Sequence, residues 1–239
     1  DVFPVEYVEE LSRLQDALPP SDVRESARAL ERELGVSLDF FERFDETPVA
    51  AASLAQVYRA RLAGTDTYVA VKVQRPQILS IVSKDLYVLR RAAEVYQGLI
   101  ERFAPQQRTD YVALLNEWAV GFYTELDFAN EAENQRRSRE LIMNPENVNG
   151  AYVPMVYDDL CTRRVLVTEW IDGVKLSTCE PHEIKRLTPV AQEAFLVQLL
   201  EAGIFHADPH PGNLFRKDDG QLAIYGCGPS RQCSLQCAC

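Results

Sequence analysis

The spacing of apolar positions divides the chain into a helical beginning, a stretch of period two, a long helical middle and a mixed end. Val5, Val8, Leu11 and Leu14 recur at helical spacing until Pro19 and Pro20 stop them. Val23, Ala27, Leu30 and Leu34 predict a second helix, with Ser21 or Asp22 as its cap, Glu25 at the capping-box position and Gly35 at its end. Phe40, Phe41 and Phe44 follow at a spacing that aromatic packing residues use, and are expected in the core. From Pro48 the period falls to two. VYRARL at 57–62 and YVAVKV at 68–73 flank the turn AGTD, which predicts a β-hairpin. Two long helices are expected next, at about 76–102 with Ile78, Val82, Leu86, Leu89 and Ala93 on one face, and at about 109–143. A strand at 165–168, a hinge at 169–173, a helix at about 183–202 and a short strand at 223–225 complete the pattern. No internal repeat or low-complexity linker interrupts it.

Composition narrows the class. At 239 residues, 46% hydrophobic and 26% charged, the chain reads as a globular protein of one large or two small lobes. Its 25 basic residues against 36 acidic ones give a net charge of −11, which opposes nonspecific binding to nucleic acid or to an anionic membrane surface. No nucleic-acid partner is expected. The most apolar helix candidate, about 191–205, carries Glu193 and Glu201, so no transmembrane span is expected either. Six cysteines follow no C-x2-C pattern, and Cys161 and Cys179 fit a reducing compartment. Asp1 falls inside an amphipathic pattern, so any targeting segment is expected outside this chain.

The chemistry concentrates in FHADPHPGN at 205–213. His206, Asp208 and Asn213 reproduce the intervals of the kinase catalytic loop H-R-D-x-x-x-x-N. In that role Asp208 orients an attacking hydroxyl and accepts its proton, the Asn213 amide oxygen ligates Mg2+, and His206 holds the loop. Two other readings compete: His206, Asp208 and His210 alternate as transition-metal ligands would on an extended segment, and a proline-rich turn with satisfied polar side chains needs no chemistry at all. V-A-V-K on the second hairpin strand matches V-A-I-K, whose lysine pairs the ATP phosphates with a helix glutamate, and this favours a functional Lys72 over a solvated edge residue. Before the hairpin, where kinases place G-x-G-x-x-G, the chain reads VAAASLAQV. Alanine restricts positive φ and close backbone approach, so this loop does not cradle phosphates in the glycine-rich manner. Further on, Glu125, Asp127 and Glu131 cannot share one helix face, so only some of them turn inward to a lysine or a metal; Glu133 is expected in solvent.

The ordered blocks EYVEELSRLQDALPP, PVAAASLAQVYRA, VAVKVQRP, ELDFANEAEN, VTEWIDGVKL and FHADPHPGNLF resemble the UbiB family of atypical kinases, also called aarF-domain-containing kinases, over nearly the whole chain up to Tyr225. The resemblance implies an α+β, protein-kinase-like two-lobed fold. A family-specific N-terminal helical extension would occupy 1–45, an N-lobe with inserted helices 46–172, and a partial C-lobe with the catalytic loop and an atypical tail 173–239. It implies ATP and Mg2+ as cofactors, and an atypical kinase or ATPase acting in ubiquinone or other prenyl-lipid metabolism, with a prenyl lipid or a lipid-biosynthesis complex as partner. Mitochondrion or plastid is the implied location in a eukaryote, and cytoplasm or a membrane periphery otherwise. By the same resemblance Ala50, Ala51, Ala52 and Ser53 form an alanine-rich loop over the nucleotide, which Val57 and Ala70 also line. Lys72 is the strand lysine with Glu131 as its partner, Glu125 and Asp127 are the E-x-D motif, the backbone at Glu169 and Ile171 holds adenine, and Asp208 and Asn213 take the catalytic-loop places.

The chain departs from that pattern near its ends. The family's K-x-G-Q motif is expected upstream of Asp1, and where the family reads I-D-F-G this chain reads Y-G-C-G at 225–228, so that Gly226 stands in place of the metal-binding aspartate. Two alternatives therefore stay open: a catalytically impaired pseudokinase or lipid-binding scaffold, and a small-molecule kinase of the aminoglycoside or choline type, in which H-x-D-x-H-P-x-N also occurs.

Overall fold

The computed structural model describes residues 22–225 and 231–232, apart from 105, 108, 202–203 and 206–210. The helix expected over Val5 to Leu14, and His206, Asp208, His210 and Gly226, lie outside the described residues.

Helix α1 (Val23–Leu34) starts where the Asp22 carboxylate accepts the Arg24 N–H and stops at Gly35, whose φ of 69° is open to glycine without strain. It lies on a five-stranded antiparallel sheet of β1 (Phe41–Phe44), β3 (Ala55–Leu62), β4 (Tyr68–Gln74) and β6 (Val165–Glu169), in that order, with β2 (Ala50–Ala51) paired to β3. The register decides which side chains look where, because directly opposed residues of an antiparallel pair share a face. Tyr58 opposes Val71 and Val71 opposes Val167, and with Ala60, Val69, Val73 and Val165 they form a face buried against Leu30 and Ala29 of α1 and against Phe41. Val57 opposes Lys72, Lys72 opposes Leu166, and Ala70 opposes both Arg59 and Thr168. That inner face carries the polar groups considered below.

A second sheet runs β5 (Ala151–Tyr152), β10 (Leu222–Ile224), β9 (Leu214–Lys217), β7 (Gly173–Lys175), with β5 parallel to β10 and the remaining pairs antiparallel. Helix α5 (Pro181–Glu201) packs on it through Leu187, Ala191 and Ala194, which meet Ala151, Leu176, Leu214, Leu222 and Ile224. A two-residue pair, β8 (Ile204–Phe205) with β11 (Arg231–Gln232), stands apart. Gly173 is obligatory: a Cβ there would sit 2.5 Å from the Arg216 carbonyl oxygen on β9.

Between the hairpin and β5 run α2 (Ile78–Phe103), α3 (Tyr111–Glu125) and α4 (Phe128–Ile142). The single helix expected at 109–143 is thus two. Asp127, at φ −100° and ψ 98°, leaves the helical region, and its carboxylate accepts the Ala129 N–H, so the side chain that ends one helix caps the next. One core assignment also needs correction, and one expected helix face is narrower than its pattern. Phe40 is 40% exposed because β1 begins only after it, and Leu89 is 47% exposed because α2 buries the narrower set Val82, Leu86 and Ile100. Phe41 and Phe44 stand on the strand β1.

Candidate functional site

Lys72 lies in the middle of β4, on the inner face, and its Nζ is 2.7 Å from both Oε1 and Oε2 of Glu131. The glutamate is held there by its helix. Phe128 and Ala132 of α4 are almost fully buried against Ala55, Val156 and Leu166, which lays the first turn of α4 across the sheet, and Glu131 points from that turn to the strand. The Glu131 side chain is 12% exposed and that of Lys72 31%, so a charge-assisted pair forms in partial shelter, with the ammonium also 4.7 Å from the centre of the Phe128 ring. The buried Gln74 Nε2 donates to the Leu126 carbonyl at 2.8 Å, tying the end of β4 to the α3–α4 junction.

The neighbouring acidic residues do other work. Glu125 is exposed at the end of α3, and Asp127 is spent on its cap and on Arg163, 3.3 Å away. Glu133 pairs at the surface with Arg136 and Arg137. Only Glu131 of the acidic run therefore reaches Lys72. The alanine-rich stretch is a tight hairpin: Ala50 and Ala51 pair with Val57 and Gln56, the Ala52 N–H donates to the Ala55 carbonyl, and the Ala52 carbonyl accepts from Arg75 Nε at 2.8 Å. Ala52 and Ser53 face solvent, Val57 is half-buried and Ala70 buried.

At the other end of the inner face the chain leaves β6 and turns towards the second sheet. The Glu169 carboxylate accepts from the Tyr152 hydroxyl at 2.7 and 2.8 Å and from the Met155 N–H at 3.1 Å. Burial, together with Glu169, raises the Tyr152 phenol above its ordinary pKa. Trp170 donates its indole N–H to Asp172, and the Arg59 guanidinium lies over the rings of Tyr68 and Trp170 at 4.1 and 5.2 Å. The buried Ile171 donates its backbone N–H to the Tyr225 hydroxyl at 2.9 Å. Tyr225 in turn donates its backbone N–H to the Asn213 carbonyl at 2.8 Å, and its ring stands edge-on to Phe215 with centroids 5.2 Å apart. Burial pushes the Tyr225 phenol far above its ordinary pKa, and the nearby Glu169, Asp172 and Tyr152 add to this. Asn213 closes the short 3-10 turn Pro211–Asn213, anchored by the buried Leu214; Phe215 is half-buried.

The lysine end suits the phosphates of a nucleotide, since a cation is already oriented by a sheltered carboxylate. Among the described residues the donor set for a divalent cation is thin. Asn213 offers an amide oxygen, no group of three or more His, Cys, Asp or Glu among the described residues could hold a metal, and position 226 is a glycine with no side-chain oxygen. Among the described residues no helix is long and apolar enough to cross a membrane. Sequence reasoning missed Tyr225 as a site residue, although its place as the first residue of Y-G-C-G was the available signal.

A five-stranded sheet with a lysine on β4, paired to a helix glutamate and hinged to a second sheet, defines a protein-kinase-like fold. The chain belongs to the ABC1 atypical kinase-like domain family, which matches residues 13–237. It is 41% identical over 234 residues to ACTIVITY OF BC1 COMPLEX KINASE 3, chloroplastic, of Arabidopsis thaliana, covering 95% of this chain and 32% of that protein. An uncharacterized aarF domain-containing protein kinase of the same plant, also named chloroplastic, is 41% identical over 229 residues, again with 95% and 32% covered. The chain spans about a third of the length of these relatives. Among solved structures, the complex of Rv3197 with erythromycin from Mycobacterium tuberculosis is similar with a TM-score of 0.73 and 27% identity, over 96% of this chain and 57% of that one.

Proposed function

We propose that this domain binds ATP between its two sheets, and that the intact protein uses it for phosphotransfer or hydrolysis in ubiquinone or other prenyl-lipid metabolism, in an organelle such as the plastid. The observation that carries the reading is the Lys72–Glu131 pair: a strand lysine held by a helix carboxylate is the arrangement that grips the α- and β-phosphates. In this reading Lys72 binds phosphate, Glu131 positions Lys72, Val57 and Ala70 cover the base, and Asp208 orients the acceptor hydroxyl. The alanine-rich hairpin from Ala50 to Ser53 shields the nucleotide from the side. Asn213 would contribute to holding Mg2+, which when bound offsets the charge of the phosphates. The division into an extension at 1–45, an N-lobe at 46–172 and a partial C-lobe at 173–239 belongs to the same proposal. A plastid setting is supported by the Arabidopsis relatives, whose names carry it.

A second reading, a catalytically impaired scaffold that keeps the fold without turnover, is favoured by the glycine at position 226. Titration of ATP with Mg2+, followed by calorimetry, tests the first. Lys72→Met is expected to weaken binding roughly ten-fold or more while the chain stays folded, as a lost charge-assisted contact to phosphate requires. Equal affinity in the two chains would remove the nucleotide from this site.

A further inference from the structure

The hinge end of the site is filled by the chain's own side chain. An adenine docking beside Ile171 would present a ring nitrogen as acceptor to the Ile171 N–H, yet that hydrogen already goes to the Tyr225 hydroxyl at 2.9 Å. One N–H has one hydrogen and cannot serve a phenol oxygen and a purine nitrogen at full strength. The tyrosine is not a surface residue that happens to touch the hinge. Its backbone follows directly on β10 and is bonded to Asn213, its ring is braced edge-on by Phe215, and Ile171 is only 7% exposed. Three elements thus fix the phenol where a base would sit.

We infer that Tyr225 is a specificity-determining residue of this site: its hydroxyl stands in for the purine at the hinge, so that an adenine nucleotide binds only by displacing it. The inference rests on the nucleotide reading and deepens it. Lys72 and Glu131 would receive phosphates as they stand, whereas the base must break the Tyr225–Ile171 bond and move an aromatic ring before it is seated. A nucleotide therefore binds through its phosphates first, and base selectivity is low until the phenol leaves.

The experiment compares ADP and tripolyphosphate binding, each with Mg2+, by calorimetry for the unaltered chain, Tyr225→Phe and Tyr225→Leu. Amide hydrogen exchange at Ile171 is read on the same chains without ligand. Phenylalanine keeps the ring and removes only the oxygen, so the chain stays folded and the Ile171 amide is freed. The expected result is faster exchange at Ile171 and ADP binding roughly five-fold tighter in Tyr225→Phe, the size of one neutral hydrogen bond, with a larger gain in Tyr225→Leu and tripolyphosphate unchanged throughout. Equal ADP affinity in the unaltered chain and Tyr225→Phe overturns the inference and leaves the nucleotide reading standing. Should no chain bind ADP or tripolyphosphate, the nucleotide reading itself has failed, and the inference falls with it.

Discussion

At the Lys72 end of the site two charged side chains from a strand and a helix face each other with their outer atoms still reachable, whereas at the Ile171 end the polar group has been used up by the chain itself. One end lies on the inner face of the first sheet and the other where the chain passes from β6 towards the second, and they reached order by different means. The Lys72–Glu131 pair is fixed from behind: Phe128 and Ala132 bury α4 against the sheet, and the charges are left as a tip that a ligand anion could join. The Tyr225–Ile171 contact is fixed from the side of the second sheet, by a ring braced edge-on against Phe215. One arrangement positions a group for binding, and the other spends it on the fold.

The two ends should differ most when Glu131 is removed. Taking one member from a buried ion pair strands the other, at about 3–5 kcal/mol when both are fully enclosed. Lys72 keeps 31% of its side-chain exposure and can turn partly to water, so Glu131→Ala is expected to cost about 2 kcal/mol in urea unfolding. Replacing both partners together, Lys72→Met with Glu131→Leu, removes the stranded charge and should restore most of that loss. A cost near zero for the single change would mean that solvent already satisfies the lysine and that the pair orders nothing.

Behind the hinge the corresponding test is steric. Gly173→Ala puts a Cβ 2.5 Å from the Arg216 carbonyl oxygen, and backbone cannot rotate away as a side-chain end can. The expected loss is about 2 kcal/mol, with the β7–β9 pairing loosened. Gly98, in the exposed run of α2, meets nothing within 4 Å, so the same substitution there is expected to stabilise by up to about 1 kcal/mol. Thermal melts of the two variants should move in opposite directions. If both move alike, the close approach at Gly173 is not what holds the hinge.

What could be read from the sequence follows the same division. The hairpin, the second helix with its Asp22 and Gly35 ends, the strand at 165–168 and the helix leading to the catalytic-loop motif all carry a local period or a local cap, and local signals survive folding. That a helix carboxylate would meet Lys72 was legible because a strand lysine and a helix glutamate form a recurring pair, and the family resemblance, not the spacing, singled out Glu131. The break at Asp127 was not. An aspartate in a long amphipathic run looks like a solvated face, and only its bond to the Ala129 N–H makes it a cap. Leu89 is exposed because periodicity names a face but not its width, and α3 covers a narrower strip than the pattern suggests; Phe40 is exposed because it precedes β1. The Tyr225 contact joins residues 54 positions apart, and nothing in local spacing announces it.

The smallest effect at neutral pH belongs to the Tyr225 phenol, and it grows only in alkali. Burial is the main cause that raises its pKa in the folded chain, with Glu169, Asp172 and Tyr152 acting in the same direction against the Ile171 hydrogen bond. In the unfolded chain the same phenol titrates near its ordinary value of about 10. The sign follows from linkage: a group whose folded pKa is raised contributes in full below the unfolded value, and its contribution is lost as pH rises from there through the folded one. Above about pH 10 the unfolded chain gives up a proton that the native chain retains, so stability falls by at most about 1.4 kcal/mol per pH unit for this group. Tyr152 and Tyr157 are raised as well, so an alkaline limb remains when Tyr225 is changed. Urea unfolding of the unaltered chain and of Tyr225→Phe at pH 8, 9, 10 and 11 is therefore expected to give curves that run parallel up to about pH 9 and converge beyond pH 10, as the unaltered chain loses what the variant never had. Curves that stay parallel to pH 11 would mean that the phenol opens to water before it ionises, and a hydroxyl so easily released could not hold the hinge against a base.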